Sequence, residues 1–246
     1  MAKIISIHSF RGGTGKSNFS ANIATRLALT GKKVGIVDSD IQSPGIHVIF
    51  NLTEEKTKKT LNDFLKKGEP LENVIHDVTP ENISGKIYLA PASMHAHDIS
   101  IILRDGYDIN MLCDGFKIFI NKFELDYLLI DTHPGLNETT LFALSFSDIL
   151  FLILRPDQQD FQGTAVTLEV ANKLEVPKIN LVMNKAFANL ESNILKAKIT
   201  ELYHTPIAGI LPFSEEMLEL GSRGLFVLEY PDLPYAKEIK AISKNI

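Results

Sequence analysis

Three short segments hold residue types whose chemistry is that of a bound polyphosphate. The first is Phe10-Arg11-Gly12-Gly13-Thr14-Gly15-Lys16-Ser17, which lies between an apolar run and a helical stretch. Glycines at these spacings let backbone N–H groups surround phosphate oxygens, and a helix that starts there points its positive end at the same anion. Lys16 is placed to meet the β- and γ-phosphates, and the Ser17 hydroxyl to ligate Mg²⁺.

The second segment is Val37-Asp38-Ser39-Asp40-Ile41-Gln42. Carboxylates spaced by one residue point in similar directions if a strand continues through them. Phosphoanhydride hydrolysis needs groups there to orient water and support the Mg²⁺ shell. The third is Tyr127-Leu128-Leu129-Ile130-Asp131-Thr132-His133-Pro134-Gly135, an apolar strand that delivers an aspartate at its tip. Asp131 is expected to accept a hydrogen bond from a Mg²⁺-bound water. The Pro-Gly that follows suits a loop that senses the γ-phosphate. His133 reads as a loop histidine, with contact to nucleotide or partner as the alternative.

Such residues need strand ends to carry them. Apolar runs at 4–8, 34–37, 87–90, 127–130, 149–154 and 179–183, with a shorter one at 207–211, read as buried parallel strands. Helical stretches at 17–29, 110–122, 158–173, 192–203 and 235–244 separate many of them. The alternation predicts an α/β fold, a doubly wound, mostly parallel sheet with helices on both faces. Residues 40–86, punctuated by Pro44, Gly45, Gly68, Pro70 and Pro80, are the least regular part, with two short helices expected. No linker divides the chain, so 1–246 reads as one P-loop ATPase domain. The 246 residues are 45% hydrophobic and 22% charged with a net charge of -5, which argues against a strongly basic nucleic-acid coat protein. Cys113 is the single cysteine, which excludes a disulfide within the chain and a Cys-rich zinc site and fits a reducing cytoplasm. No apolar stretch has the length of a membrane span, and the N-terminus lacks the form of a secretory signal.

The first glycine of a general Walker A loop would fall at Phe10. What remains, a basic residue, Gly-Gly, any residue and Gly-Lys-Ser, resembles the deviant Walker A loop of the ParA/MinD family of ATPases. In that family a signature lysine before the Gly-Gly pair reaches the nucleotide of the partner subunit in a sandwich dimer. The resemblance therefore gives Arg11 that trans role, with Arg155 as the second candidate for a phosphate contact. It adds Asn18 to the nucleotide-binding set of Gly12, Gly13, Thr14, Gly15, Lys16 and Ser17. The stretch 38–42 resembles the family's D-x-D-x-Q segment, so Asp40 is expected to position the hydrolytic water and Asp38 to lie close to the Mg²⁺ shell. Asp131 to Gly135 resembles its D-x-x-P-[GS] switch. By the same resemblance Asn184 lies against the purine ring and Pro212 beside it. Phe187 stands where GTP-selective relatives carry an aspartate, which favours ATP.

One cysteine supplies neither the two-cysteine dimer bridge of the nitrogenase iron protein nor a C-x-x-C, so an iron–sulfur role is not expected. The six tyrosines form no cluster of the bacterial tyrosine-kinase kind. The stretch 237–246, mixed in charge, reads as a last domain helix rather than the basic membrane helix of the MinD branch. The resemblance implies an ATPase that forms a homodimer on binding ATP and Mg²⁺, is stimulated by a cargo adaptor protein, and positions a plasmid, chromosome region or protein organelle. Variation at the signature lysine is a feature of the carboxysome-distributing McdA branch. Cytoplasmic location follows, with the nucleoid as the surface if DNA is bound. Candidate DNA contacts are Lys56, Lys58, Lys59, Lys66 and Lys67, or Lys196, Lys198, Arg223, Lys237 and Lys240. The alternatives are a nucleotide-dependent regulator or polar landmark with little catalysis, and a membrane-associated division-site regulator.

Overall fold

The computed structural model describes residues 2–53, 55–187 and 192–246. The chain opens with β1 (Lys3–His8), α1 (Lys16–Ala28) and β2 (Lys33–Asp38). The region expected to be irregular carries α2 (Ile46–Ile49), α3 (Leu61–Lys67) and a two-residue strand β3 (His76–Asp77). There follow β4 (Lys86–Ala90), α4 (Ala96–Asp105), α5 (Ile109–Phe123), β5 (Tyr127–Asp131), α6 (Glu138–Ser145) and β6 (Ile149–Leu154). The chain ends with α7 (Gln158–Lys173), β7 (Lys178–Ala186), α8 (Ser192–Tyr203), β8 (Ile207–Pro212), α9 (Glu215–Leu220), α10 (Phe226–Glu229) and α11 (Pro234–Ser243).

The strands form one sheet in the order β3-β4-β2-β5-β1-β6-β7-β8. Every pairing is parallel except β3 with β4. The chain winds outward from β1 through β2 and β4, returns at β5, then winds the other way through β6, β7 and β8. The reversal leaves a crevice at the carboxyl ends of β1, β5 and β2, where an open α/β sheet binds its ligand.

Alternate residues of each strand enter opposite layers. Ile5, Ile7, Val34, Ile36, Leu129, Phe151 and Ile153 join α1, α10 and α11 in one core. Val37, Leu128 and Ile130 join Phe64, Phe116 and Phe119 of α3 and α5 in the other. All six residues of β6 are buried, because it has a strand on each side and layers above and below. Helix α11 spends Tyr235, Ala236, Ile239 and Ile242 on the first core, so its apolar face is committed to packing.

Candidate functional site

The phosphate loop joins β1 to α1 as expected. Gly13 and Gly15 have φ of 74° and 96°, values that side chains resist. Gly15 also lies so close to the Asn184 amide that a Cβ would run into it. No side chain caps α1, so its N-terminus is open to an anion. Phe10 is accommodated by Gly163 of α7: its ring fills the space where a Cβ at 163 would stand.

Lys16 turns back across the loop, with Nζ donating to Ser9 Oγ at 3.2 Å. Its surroundings push its pKa down, because burial outweighs the pull of Asp131, Asp40 and Asp38. Register places Asp38 directly beside Asp131 on the adjacent strands β2 and β5. Ser17 donates to Asp131 Oδ2 at 2.7 Å and Ser20 donates to Oδ1 at 2.9 Å. Burial nevertheless raises Asp131 to about 6, against the opposing influence of Lys16 and the two serines. Asp38, raised well above the carboxylate range by burial and by Asp131, accepts backbone N–H groups of Asp40, Gly45 and Ile46. It thereby anchors the loop that carries Asp40.

Among the described residues these two buried carboxyls face one nearby ammonium, that of Lys16, and the arrangement suits a divalent cation. Ser17 Oγ gives its proton to Asp131 and keeps lone pairs for a metal. Asp131 and Asp38 would act through bound water, with Ser17 as the direct protein ligand. Among the described residues no three acidic, histidine or cysteine side chains cluster as a metal-binding group. A hard cation held chiefly by one hydroxyl, water and phosphate needs no such cluster.

Asn184 donates from Nδ2 to the Thr14 carbonyl at 2.7 Å, and Lys185 Nζ donates to the Gly13 carbonyl at 2.9 Å. Both contacts follow from a register irregularity in β7 between Met183 and Ala186, where Lys185 takes φ 58°. Next to them is a pocket of ≈ 200 Å³ whose walls include Asn18, Asn184, Pro212, Phe213, Met217 and Tyr235. Asn18 Oδ1 and the Tyr235 hydroxyl are buried without a protein partner. The pocket offers a flat ligand apolar walls and unused hydrogen-bonding groups.

The two arginines separate. Arg155 donates to Asp160 from its backbone N–H, Nε and Nη2, all within 3.1 Å, and is thereby held in place. Arg11 is 42% exposed and only leans on Asp157 and Asp160, at 3.7 and 3.8 Å. Arg11 is therefore the more loosely held cation of the two. Ser9, Ser20 and Lys185 were not singled out in the sequence. Ser20 and Lys185 make contacts 111 and 172 positions away in the chain, and Ser9 meets Lys16 only because the loop folds back. Among the candidate DNA contacts, Lys59, Lys67 and Lys196 are ion-paired with Glu69, with Asp63 and Asp98, and with Glu238. No helix among the described residues is long and apolar enough to cross a membrane.

A glycine-rich loop at the switch point of a parallel sheet, with Lys16, Ser17 and Asp131 converging on it, defines a P-loop NTPase. The chain belongs to the ParA family, whose model, described as NUBPL iron-transfer P-loop NTPase, matches residues 1–246. An uncharacterised ATP-binding protein of Methanocaldococcus jannaschii is 27% identical over 254 residues, covering 100% of this chain and 88% of the relative. An iron–sulfur cluster carrier protein of Clostridium perfringens is 29% identical over 241 residues, covering 93% and 83%. The fold is shared with the septum site-determining protein MinD of Pyrococcus horikoshii, solved with Mg-ADP. There the TM-score is 0.83 at 22% identity, with 100% of this chain and 96% of that chain covered.

Proposed function

We propose that the chain is an ATPase whose ATP-bound form is a face-to-face homodimer that positions an intracellular cargo. The observation that carries this reading is the convergence of Lys16, Ser17, Asp131 and Asp40 on one loop at the switch point. Lys16 and the open N-terminus of α1 bind the triphosphate. The pocket beside Asn184 and Pro212 takes the adenine. Mg²⁺, when bound, would neutralise charge on the phosphates, with Ser17 as ligand and Asp131 and Asp38 behind its waters. Asp40 orients the attacking water, and Arg11 reaches the nucleotide of the partner subunit. Turnover is slow until an adaptor on the cargo assembles the switch loop.

The working location is the cytoplasm, with nucleoid DNA as the surface, gripped by lysines outside the ion pairs, such as Lys58, Lys66, Lys198 and Lys240. The family description and the C. perfringens relative's name point instead towards iron. Cys113 speaks against that role here: it is the one cysteine, buried on α5, with burial pushing its thiol pKa up.

Phosphate release and particle mass, measured for the wild type, Lys16→Ala and Asp40→Ala, test the proposal. Lys16→Ala is expected to lose ATP binding. Asp40→Ala should bind ATP and dimerise without turnover. Normal hydrolysis by Asp40→Ala would remove the role given to Asp40, and full ATP binding by Lys16→Ala would overturn the reading of the phosphate loop. Sedimentation of the same proteins with DNA at two salt concentrations tests the surface: ATP-dependent binding that weakens steeply with salt is expected.

A further inference from the structure

His133 has no part in the mechanism so far, yet it touches the residue on which hydrolysis rests. Its Nδ1 lies 2.7 Å from Asp40 Oδ1, across 93 positions of sequence. The same oxygen accepts the Ser43 backbone N–H at 3.1 Å. A carboxylate oxygen only accepts, so the ring nitrogen is the donor. Both side chains are largely screened from solvent, 24% exposed for His133 and 12% for Asp40. A hydrogen bond to a carboxylate in such a place is stronger than one in open water.

The consequence lies in the geometry of Asp40. The terminal torsion of an aspartate is broad and roughly two-fold, so a lone carboxylate swings between orientations. Here two donors fix Oδ1, while Oδ2 makes no hydrogen bond to any described residue. One oxygen is held and the other is left for a water.

The histidine is also tied to the phosphate loop. It immediately precedes Pro134 and Gly135, and the Gly135 N–H donates to the Ser9 carbonyl at 3.1 Å. On its other side the Thr132 N–H donates to the Ile7 carbonyl at 3.1 Å, so β1 and the residue that follows it anchor the loop on both flanks of His133.

We infer that His133 is a positioning residue for hydrolysis: its Nδ1–H orients Asp40 so that Oδ2 receives the attacking water, and it transmits the setting of the switch loop to that carboxylate. This inference rests on the reading of Asp40 given above. The bond between the two side chains is a single contact between the loop that touches the phosphate loop and the group that handles water. A displacement of the switch loop therefore releases Asp40.

Steady-state ATP hydrolysis by the full chain tests it, with His133→Ala, His133→Phe, His133→Asn, Asp40→Ala and the His133→Ala/Asp40→Ala double variant. His133→Phe keeps a ring and removes the donor. It and His133→Ala are expected to lower kcat about ten-fold, with KM for ATP within about two-fold of wild type. His133→Asn places an amide N–H close to where Nδ1–H stands and is expected to recover most of kcat. The double variant should be no slower than Asp40→Ala, since a positioning residue has nothing left to position. Wild-type kcat in His133→Phe, a loss that Asn does not recover, or a rise in KM alone would overturn the inference. Normal hydrolysis by Asp40→Ala would instead remove the water-orienting role of Asp40 on which the inference rests, and that result is read without any change at His133.

Discussion

His8 shows how much one side chain can report about the site. It ends β1, and its Nδ1 lies 2.7 Å from Thr132 Oγ1. That hydroxyl gives its own proton to the Ile7 carbonyl at 2.9 Å, so it accepts from the ring, and Nδ1 carries the hydrogen. The Nε2 atom is buried with no partner. Burial, helped by the charges of Lys16 and His133, lowers the ring's pKa to about 3. The unfolded chain takes up the proton near the ordinary value of 6.5, which the folded chain refuses. Stability on this account is full above that value and is lost as the pH falls towards about 3, by roughly 5 kcal/mol at the limit. Asp131 acts in the opposite sense, since its raised pKa favours the folded state on acidification below about 6. Substituting His8 separates the two. His8→Asn retains a donor towards Thr132 and removes the titration, so its thermal midpoint is expected to fall less than that of wild type between pH 6.5 and pH 4. Parallel pH profiles for the two proteins would remove His8 as the source.

Elements were legible in the sequence where one physical signal dominated. Strands flanked on both edges and covered on both faces are continuous apolar runs, and 149–154 matches β6 residue for residue. The phosphate loop was legible because glycines with positive φ and a lysine must be contiguous to do their work. The two-residue β3 left no periodicity to read, and the irregularity at the end of β7 depends on pairing with β8. The fit of Phe10 against α7 was equally hidden, because Gly163 lies in a helix where a glycine ordinarily costs stability. That fit makes a prediction at the scale of two elements. Alanine at 163 gains about 1 kcal/mol in helix propensity, but its methyl meets the Phe10 ring, and overpacking costs about 1–3 kcal/mol. Gly163→Ala alone is expected to lower the thermal midpoint and to weaken nucleotide binding, since Phe10 opens the phosphate loop. In a Phe10→Gly background, which removes Cβ together with the ring, the obstruction is gone, and the same substitution should raise the midpoint. Measuring the four melting curves of this cycle decides it: an unchanged sign in the second background would show that Phe10 is not what fills the notch.

At the scale of the whole molecule the question is which charges remain available to a second copy. The net charge of -5 conceals an uneven distribution. Arg155, part-buried at the end of β6, is consumed by Asp160, while the Arg11 guanidinium, beside the phosphate loop, is 42% exposed and among the described residues makes no ion pair closer than 3.7 Å. A guanidinium so placed matches a phosphate group well and loses little by leaving its present neighbours. If it serves the site across a two-fold interface, each complete site takes Asp40 from one subunit and Arg11 from the other. Arg11→Ala and Asp40→Ala should then each be nearly inactive alone and recover activity when mixed, because the mixed dimer contains one site with both groups intact. Random pairing at equal concentrations makes half the dimers mixed, each with one working site of two, so about a quarter of wild-type turnover is expected. A cis role for Arg11 gives a different result, since no subunit in the mixture would carry both groups, and the rate would stay at the level of the separate variants. Light scattering with ATP completes the measurement: Asp40→Ala should appear as a dimer, and the mixture should recover only over concentrations at which dimers form.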